Sequence, residues 1–322
     1  MVRARSFIKS AFPVAARFTG LSWALANRYR GRGAIFALKR RAPVWHALAN
    51  AQATDHSNRL FAVRAQSRDY DEGPSGNYST TQQIWANLMS MVSGLAMLGR
   101  AIGYACGLAR NVPLLFKYRD ATMVGKVMFL ENLTIAKRTL RKPNLVDGAV
   151  VECGTWKGGM AAALMEIGGS QRRYYFFDSF EGLPPAGDMD GEAARRYQSA
   201  KDSKYNNCTA SIDEFKATIT RTDLPIEKVK IYKGWFNQTF SDFDPPPVAV
   251  LRLDADWYSS TMTCLTKFWD AVIPGGLIII DDYGTWEGCT KAVHEFLSMR
   301  KATEPIRQTP AGVTFIEKSS HA

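Results

Sequence analysis

After Pro143 the chain alternates short, almost wholly apolar runs with longer stretches whose apolar residues recur at helical spacing. LVDGAVVECG, residues 145–154, reads as a buried strand ending in an acid and a glycine, and TWKGGMAAALMEIG follows as a turn and an amphipathic helix. RRYYFFDSF at 172–180, VKIYKGWF at 229–236, VAVLRLDAD at 248–256 and GLIIIDD at 276–282 read as further strands, with helices over 259–271 and 286–298. Apolar strands flanked by helices predict a mainly parallel sheet covered on both faces. EPIRQTP at 304–310 and GVTFIEK at 312–318 are too closely linked for a parallel crossover, so they must form a hairpin. The expected fold is therefore a three-layer, doubly wound α/β sheet of about seven strands with an antiparallel C-terminal edge.

The N-terminal half follows a different pattern. Residues 84–109 carry a single charge, Arg100, and are punctuated by Gly94, Gly99, Gly103 and Gly107. Their length would span a bilayer, but a central Arg costs roughly 2.5–3.5 kcal/mol there. The expected form is a soluble helical cap of two buried helices or a docking hairpin, with an interfacial apolar element as the alternative. The chain divides into a basic extension at 1–70, a helical cap and cofactor-covering segment at 71–142, and a catalytic domain at 143–322.

Charge sharpens that division. The whole chain has net charge +11, yet residues 1–54 hold ten Lys or Arg and no acid, which leaves 31 basic and 30 acidic groups for the rest. The basic character belongs to the extension. It suits an organelle-targeting leader, a plain solvated arm, or peripheral attachment to an anionic surface, with Phe7, Ile8, Phe12, Phe18 and Trp23 adding apolar contacts. The expected location is the cytoplasm, at or near the inner membrane surface. A basic reading helix or an RNP-like strand is missing, so nucleic acid is not an expected partner. Five widely spaced cysteines without a CxxC pair argue against both a disulfide framework and a zinc knuckle.

The polar residues of the predicted strands gather at their carboxyl ends, where open α/β sheets bind ligands. Glu152, Gly154 and the glycines that follow lack both GxGxxG spacing and a P-loop Lys, which disfavours NAD and nucleoside triphosphates. Asp178 ends the second strand, where it could accept from a ribose diol or cap the turn into EGLP. Alternation puts Asp254 and Asp256 on one side of their segment, and Asp281 and Asp282 end the neighbouring strand. Four crowded carboxylates repel one another unless a cation or a shared proton intervenes, and an all-oxygen set suits Mg2+.

ATMVG at 121–125, ENL at 131–133, VECGTWKGG, FFDSFEGLP, KGWFNQTF, LRLDADWYSST and IIIDDYG together resemble the macrocin O-methyltransferase family of sugar O-methyltransferases, within the class I S-adenosylmethionine enzymes, over about residues 120–318. The resemblance implies S-adenosylmethionine at the first three strand ends and a divalent ion, usually Mg2+, beside the donor methyl. It puts Glu152 and Gly154 near the methionine moiety, Asp178 at the ribose, Gly234 and Trp235 at the adenine, and Thr122 and Met123 in a segment that closes over the cofactor. The acceptor it implies is a glycoside or saccharide.

In such a site Asp254, Asp281 and Asp282 would hold the ion, and Asp256, or a less saturated metal-ligating acid such as Asp254, would accept the proton. His294 lies far along its helix and is assigned no catalytic role. Trp257, Tyr258, Tyr283 and Trp286 beside the acids either cover a sugar face or pack the loop against the helices. A catechol-like diol would satisfy the same ion, and a non-catalytic, membrane-associated nucleoside-binding module is the alternative from outside enzymology. A second copy of the chain stays open as a partner.

Overall fold

The computed structural model describes residues 80–199 and 206–319, all within the unit Pro74–Ala322. The basic extension at 1–70 lies outside the described residues.

Seven strands form one sheet in the order β3-β2-β1-β4-β5-β7-β6. The parallel members are β1 (Ala149–Cys153), β2 (Tyr174–Asp178), β3 (Val229–Lys233), β4 (Val248–Leu253) and β5 (Val272–Ile280). β7 (Thr314–Glu317) runs antiparallel to β5, and β6 (Arg307–Gln308) completes the edge hairpin. The chain order reverses between β1 and β4, which opens a crevice at their carboxyl ends.

Period-two alternation divides the apolar residues between two cores. Val150, Phe176, Val250 and Ile279 face a layer built from α2 (Val112–Tyr118), α3 (Lys126–Leu140) and α4 (Gly159–Gly168). Val151, Phe177, Leu251 and Ile278 face α8 (Tyr258–Phe268) and α9 (Glu287–Met299). Between β2 and β3 run α5 (Gly191–Ser199) and α6 (Ile212–Ile219), and α7 (Phe236–Thr239) follows β3. Several strands are shorter than their apolar runs suggest. β4 stops at Leu253, so Asp254 and Asp256 lie in the loop beyond it, and Gly234 and Trp235 likewise follow β3.

The segment predicted as two buried helices or a hairpin is instead one helix, α1 (Thr80–Ala109). Its glycines do not break it, because a single Gly costs only about 1 kcal/mol in a helix that otherwise propagates well. Its C-terminal part docks. There the Tyr104 hydroxyl donates to Glu131, and a Cβ at Gly107 would meet Thr134 Cγ2 at 3.2 Å. The stretch Met91–Tyr118 is long and apolar enough to cross a membrane, and its 18-residue apolar window is unburied.

Candidate active site

The carboxyl ends of β1, β2, β3 and β4 border a cavity of about 380 Å³ lined by Met123, Gly154, Asp178, Gly234, Trp235, Asp254 and Asp256, among others. Gly154 is required at its tip. Its φ is +84°, and a Cβ there would lie 1.8 Å from the Asp254 carbonyl oxygen, so only a glycine lets the loops after β1 and β4 meet. Asp178 organises the neighbouring loops. Its Oδ2 accepts from the amides of Thr155 (2.6 Å) and Trp156 (2.8 Å), and its Oδ1 accepts from Phe180 N (2.7 Å). The carboxylate thus caps the turn and also stands on the cavity wall.

Beneath this floor lies a charged centre that the sequence reading passed over. In the parallel register Glu152 is the cross-strand partner of Arg252. The guanidinium is 1% exposed; its Nη1 donates to Glu152 Oε1 at 2.7 Å and to Asp254 Oδ2 at 2.9 Å, and Nη2 is 2.7 Å from Asp281 Oδ1. Three strand ends are therefore tied to one side chain. The signal was present in VAVLRLDAD, since a lone Arg inside a central apolar strand must find acids on adjoining strands.

The remaining carboxylates converge beside it. Asp254, Asp256 and Asp282 each bring a ligand oxygen within 4.8 Å of the others. Asp281, which the sequence assigned to the metal set together with Asp254 and Asp282, lies outside this cluster of three, with its Oδ1 2.7 Å from Arg252 Nη2, and Asp256 lies within it. Asp256 adopts φ +55°, which bends the loop and lets its amide donate to Asp282 Oδ2 at 2.9 Å, while Trp286 Nε1 donates to Asp256 Oδ1 at 2.9 Å. Burial, followed by the like charge of Asp254, raises the Asp256 carboxyl to about 8. Asp254 rises to about 6, where burial outweighs the pull of Arg252, and burial followed by Asp256 and Asp254 raises Asp282 well above the usual carboxylate range. Such a set gains from a hard divalent cation, which replaces like-charge repulsion with attraction and matches the all-oxygen donors. The residues therefore fit the ion.

They also fit a sulfonium cofactor. Glu152 Oε2 is buried without a hydrogen-bond partner, and burial raises this carboxyl to about 8 despite Arg252. An ammonium group arriving above β1 would supply the missing partner. Glu152 does not itself line the cavity. Met123 does, while Thr122 stands beside it with its hydroxyl accepting from Val124 N at 3.2 Å.

Three of the four aromatics resolve towards packing, while Trp286 donates to Asp256. Trp257 is fully buried and donates to Pro184 O at 2.8 Å, Tyr258 donates to Glu295, and Tyr283 contacts the exposed His294. The aromatic walls of the cavity are Trp156, Trp235 and Phe236.

A seven-stranded sheet of this order, with a glycine-tipped β1 loop, an acid closing β2 and the acidic cluster after β4 and β5, defines a class I S-adenosylmethionine-dependent methyltransferase. The family model for macrocin O-methyltransferase (TylF) matches residues 109–318, and the chain belongs to that family. It is 34% identical over 192 residues to an 8-demethyl-8-(2,3-dimethoxy-alpha-L-rhamnosyl)-tetracenomycin-C 4'-O-methyltransferase of Streptomyces olivaceus, covering 58% of this chain and 71% of that one. Demethyldecarbamoylnovobiocin O-methyltransferase of Streptomyces niveus is also 34% identical, over 54% of this chain and 67% of its own. The solved structure of the O-methyltransferase NovP superposes with a TM-score of 0.53 at 27% identity, covering 62% of this chain and 82% of that one.

Proposed function

We propose that the protein transfers a methyl group from S-adenosylmethionine to a hydroxyl of a sugar or glycosylated small molecule, with the help of a divalent cation. The observation that carries this reading is the convergence of Asp254, Asp256 and Asp282 at the edge of the cavity bordered by the cofactor-side residues Gly154 and Asp178. The rhamnosyl group in the name of one relative supports a sugar acceptor.

Asp254 and Asp282, joined by Asp256, would hold the ion. When bound, it would supply polarisation of an acceptor hydroxyl and so favour the alkoxide. The cavity walls align that hydroxyl with the donor methyl and exclude water, and this positioning accounts for much of the rate. S-adenosylmethionine, when bound, would supply the methyl carbon and take the electron pair of its broken carbon–sulfur bond onto sulfur as the acceptor oxygen bonds to that carbon. Asp256 Oδ2 takes the hydroxyl proton, while Trp286 fixes Oδ1. Arg252 keeps Asp254 in place from below.

Methyl transfer to a panel of glycosides and catechols, run with Mg2+ and again with chelator, tests this reading. Metal-stimulated transfer to glycosides supports it. Transfer to catechols alone would move the acceptor class, and cofactor binding with no transfer to any diol would favour a binding module. For location, the proposal is the cytoplasmic side of an anionic membrane, tested by fractionation of cells expressing the full chain.

A further inference from the structure

The exposed helix α1 carries a surface that methyl transfer does not use. Met91, Leu98 and Ile102 are 58%, 48% and 55% exposed. At 3.6 residues per turn they fall within about 40° of one another on the helix circumference. Arg100, Tyr104 and Gly107 lie on the opposite side by the same spacing, and Tyr104 and Gly107 are the residues that pack against α3. The apolar stripe therefore points away from the body of the protein. Val92 and Met97 extend the exposed apolar surface along its two flanks, and Met89, towards the N-terminus, is exposed on the Arg100 side.

Charge beside the helix identifies what such a surface meets. Arg110, immediately after α1, approaches Lys137 on α3, as does Arg141 just beyond that helix, closely enough for both cations to disfavour protonation of Lys137 after burial has done so. Neither Arg110 nor Arg141 has an acidic partner among the described residues. In the sequence, residues 1–54 hold ten basic residues and no acid, and residues 55–79 hold three basic and four acidic ones. A second copy of the chain would bring the same positive charge to the contact. An anionic lipid surface instead offers acyl chains to the stripe and phosphates to the cations.

We propose that α1 lies in the plane of an anionic membrane, with Met91, Leu98 and Ile102 entering the acyl boundary and Arg110, at the end of the helix on the flank of that stripe, meeting the headgroups. A helix lying flat lets Arg100 stay on the polar side, whereas spanning would carry it into the hydrocarbon. A membrane-held enzyme would also meet amphiphilic acceptors at raised local concentration, although docking does not depend on the methyltransferase reading.

Flotation of the full chain with vesicles of phosphatidylglycerol and phosphatidylcholine tests the proposal. The wild type should float with the anionic vesicles, be released by high salt, and bind pure phosphatidylcholine weakly. The combined variant Met91→Glu, Leu98→Glu, Ile102→Glu should lose at least about tenfold in partitioning, and Arg110→Glu should lose about fivefold or more. Both should keep wild-type melting temperature and S-adenosylmethionine affinity, because the altered residues lie outside the catalytic cavity. Wild-type partitioning by the apolar variant would overturn the proposal. So would equal binding to neutral vesicles, or a failure to float together with self-association that the same three substitutions abolish.

Discussion

Replacing Arg252 with Met should be among the most damaging single changes in the chain. The guanidinium lies between Glu152, Asp254 and Asp281, and Glu152 is wholly buried. Loss of one member of a buried ion pair costs about 3–5 kcal/mol, chiefly because the remaining charge stays buried without a partner. Asp254 and Asp281 keep 29% and 15% of their side chains exposed and regain some hydration, so most of the penalty falls on Glu152. Set against a typical stability of about 5–15 kcal/mol, the loss should lower the melting temperature by roughly 10 °C. Arg252→Lys should fall between, since one ammonium cannot reproduce a fork that reaches three acids. Adding Glu152→Gln to Arg252→Met removes the carboxyl with least access to water, which holds its proton up to about pH 8, so the double variant should recover part of the loss, most of it above that pH. Thermal unfolding followed by circular dichroism on the wild type, both single variants and the double variant measures all of this. An Arg252→Met protein that melts with the wild type, or a double variant no more stable than the single, would refute the assignment of Arg252 as the electrostatic centre of the fold.

Asp282→Asn should weaken Mn2+ binding, measured by titration calorimetry, and cut turnover at least about 100-fold while leaving S-adenosylmethionine affinity within a few-fold; unchanged Mn2+ binding would remove Asp282 from the site. The raised carboxyls of Asp254 at about 6 and of Glu152 and Asp256 at about 8 bind protons more tightly in the folded than in the unfolded chain, so their contribution to stability is complete below about pH 4 and is lost as pH rises through 6 to 8. Metal-free protein should accordingly lose stability between about pH 4 and 8, and Mg2+ should restore it most at the alkaline end, where it no longer competes with protons; a melting temperature flat across that range would contradict this. Trp286→Phe removes the donor to Asp256 Oδ1 and should lower kcat about tenfold with little change in cofactor affinity, measured by steady-state kinetics and equilibrium binding. Gly154→Ala should destabilise by about 2 kcal/mol or more and impair cofactor binding, because its Cβ would collide with the Asp254 carbonyl, and denaturant unfolding reads that loss.

The sheet was legible because its central strands, β1 and β4 above all, are buried on both faces and stand out as continuous apolar runs, and because the short link before 312–318 allowed only a hairpin. Strand ends were harder to place. In VAVLRLDAD the alternation continues past Leu253, but the ladder stops there and Asp256 turns through a positive φ that no periodicity encodes. The choice between Asp281 and Asp256 for the acidic cluster was equally hidden, since it depends on where a buried cross-strand Arg directs its fork. α1 was misread because a Gly-punctuated apolar run suggests breaks, whereas glycines spaced along a long helix need not interrupt it. The aromatic quartet followed the same rule as Arg252: proximity in sequence to the acids was visible, while the commitment of Trp257 to Pro184 across the loop was not.

The most direct measurement for the account as a whole is carbon-13 NMR of the products formed when the purified full chain acts on a glycoside panel with S-adenosylmethionine labelled at the methyl carbon. The account predicts a new methoxy signal coupled to a sugar ring carbon, present with Mg2+ and lost on chelation or in Asp282→Asn. A labelled product methylated at nitrogen, carbon or a phenolic oxygen, or a sugar ether formed at the same rate with chelator, would contradict it.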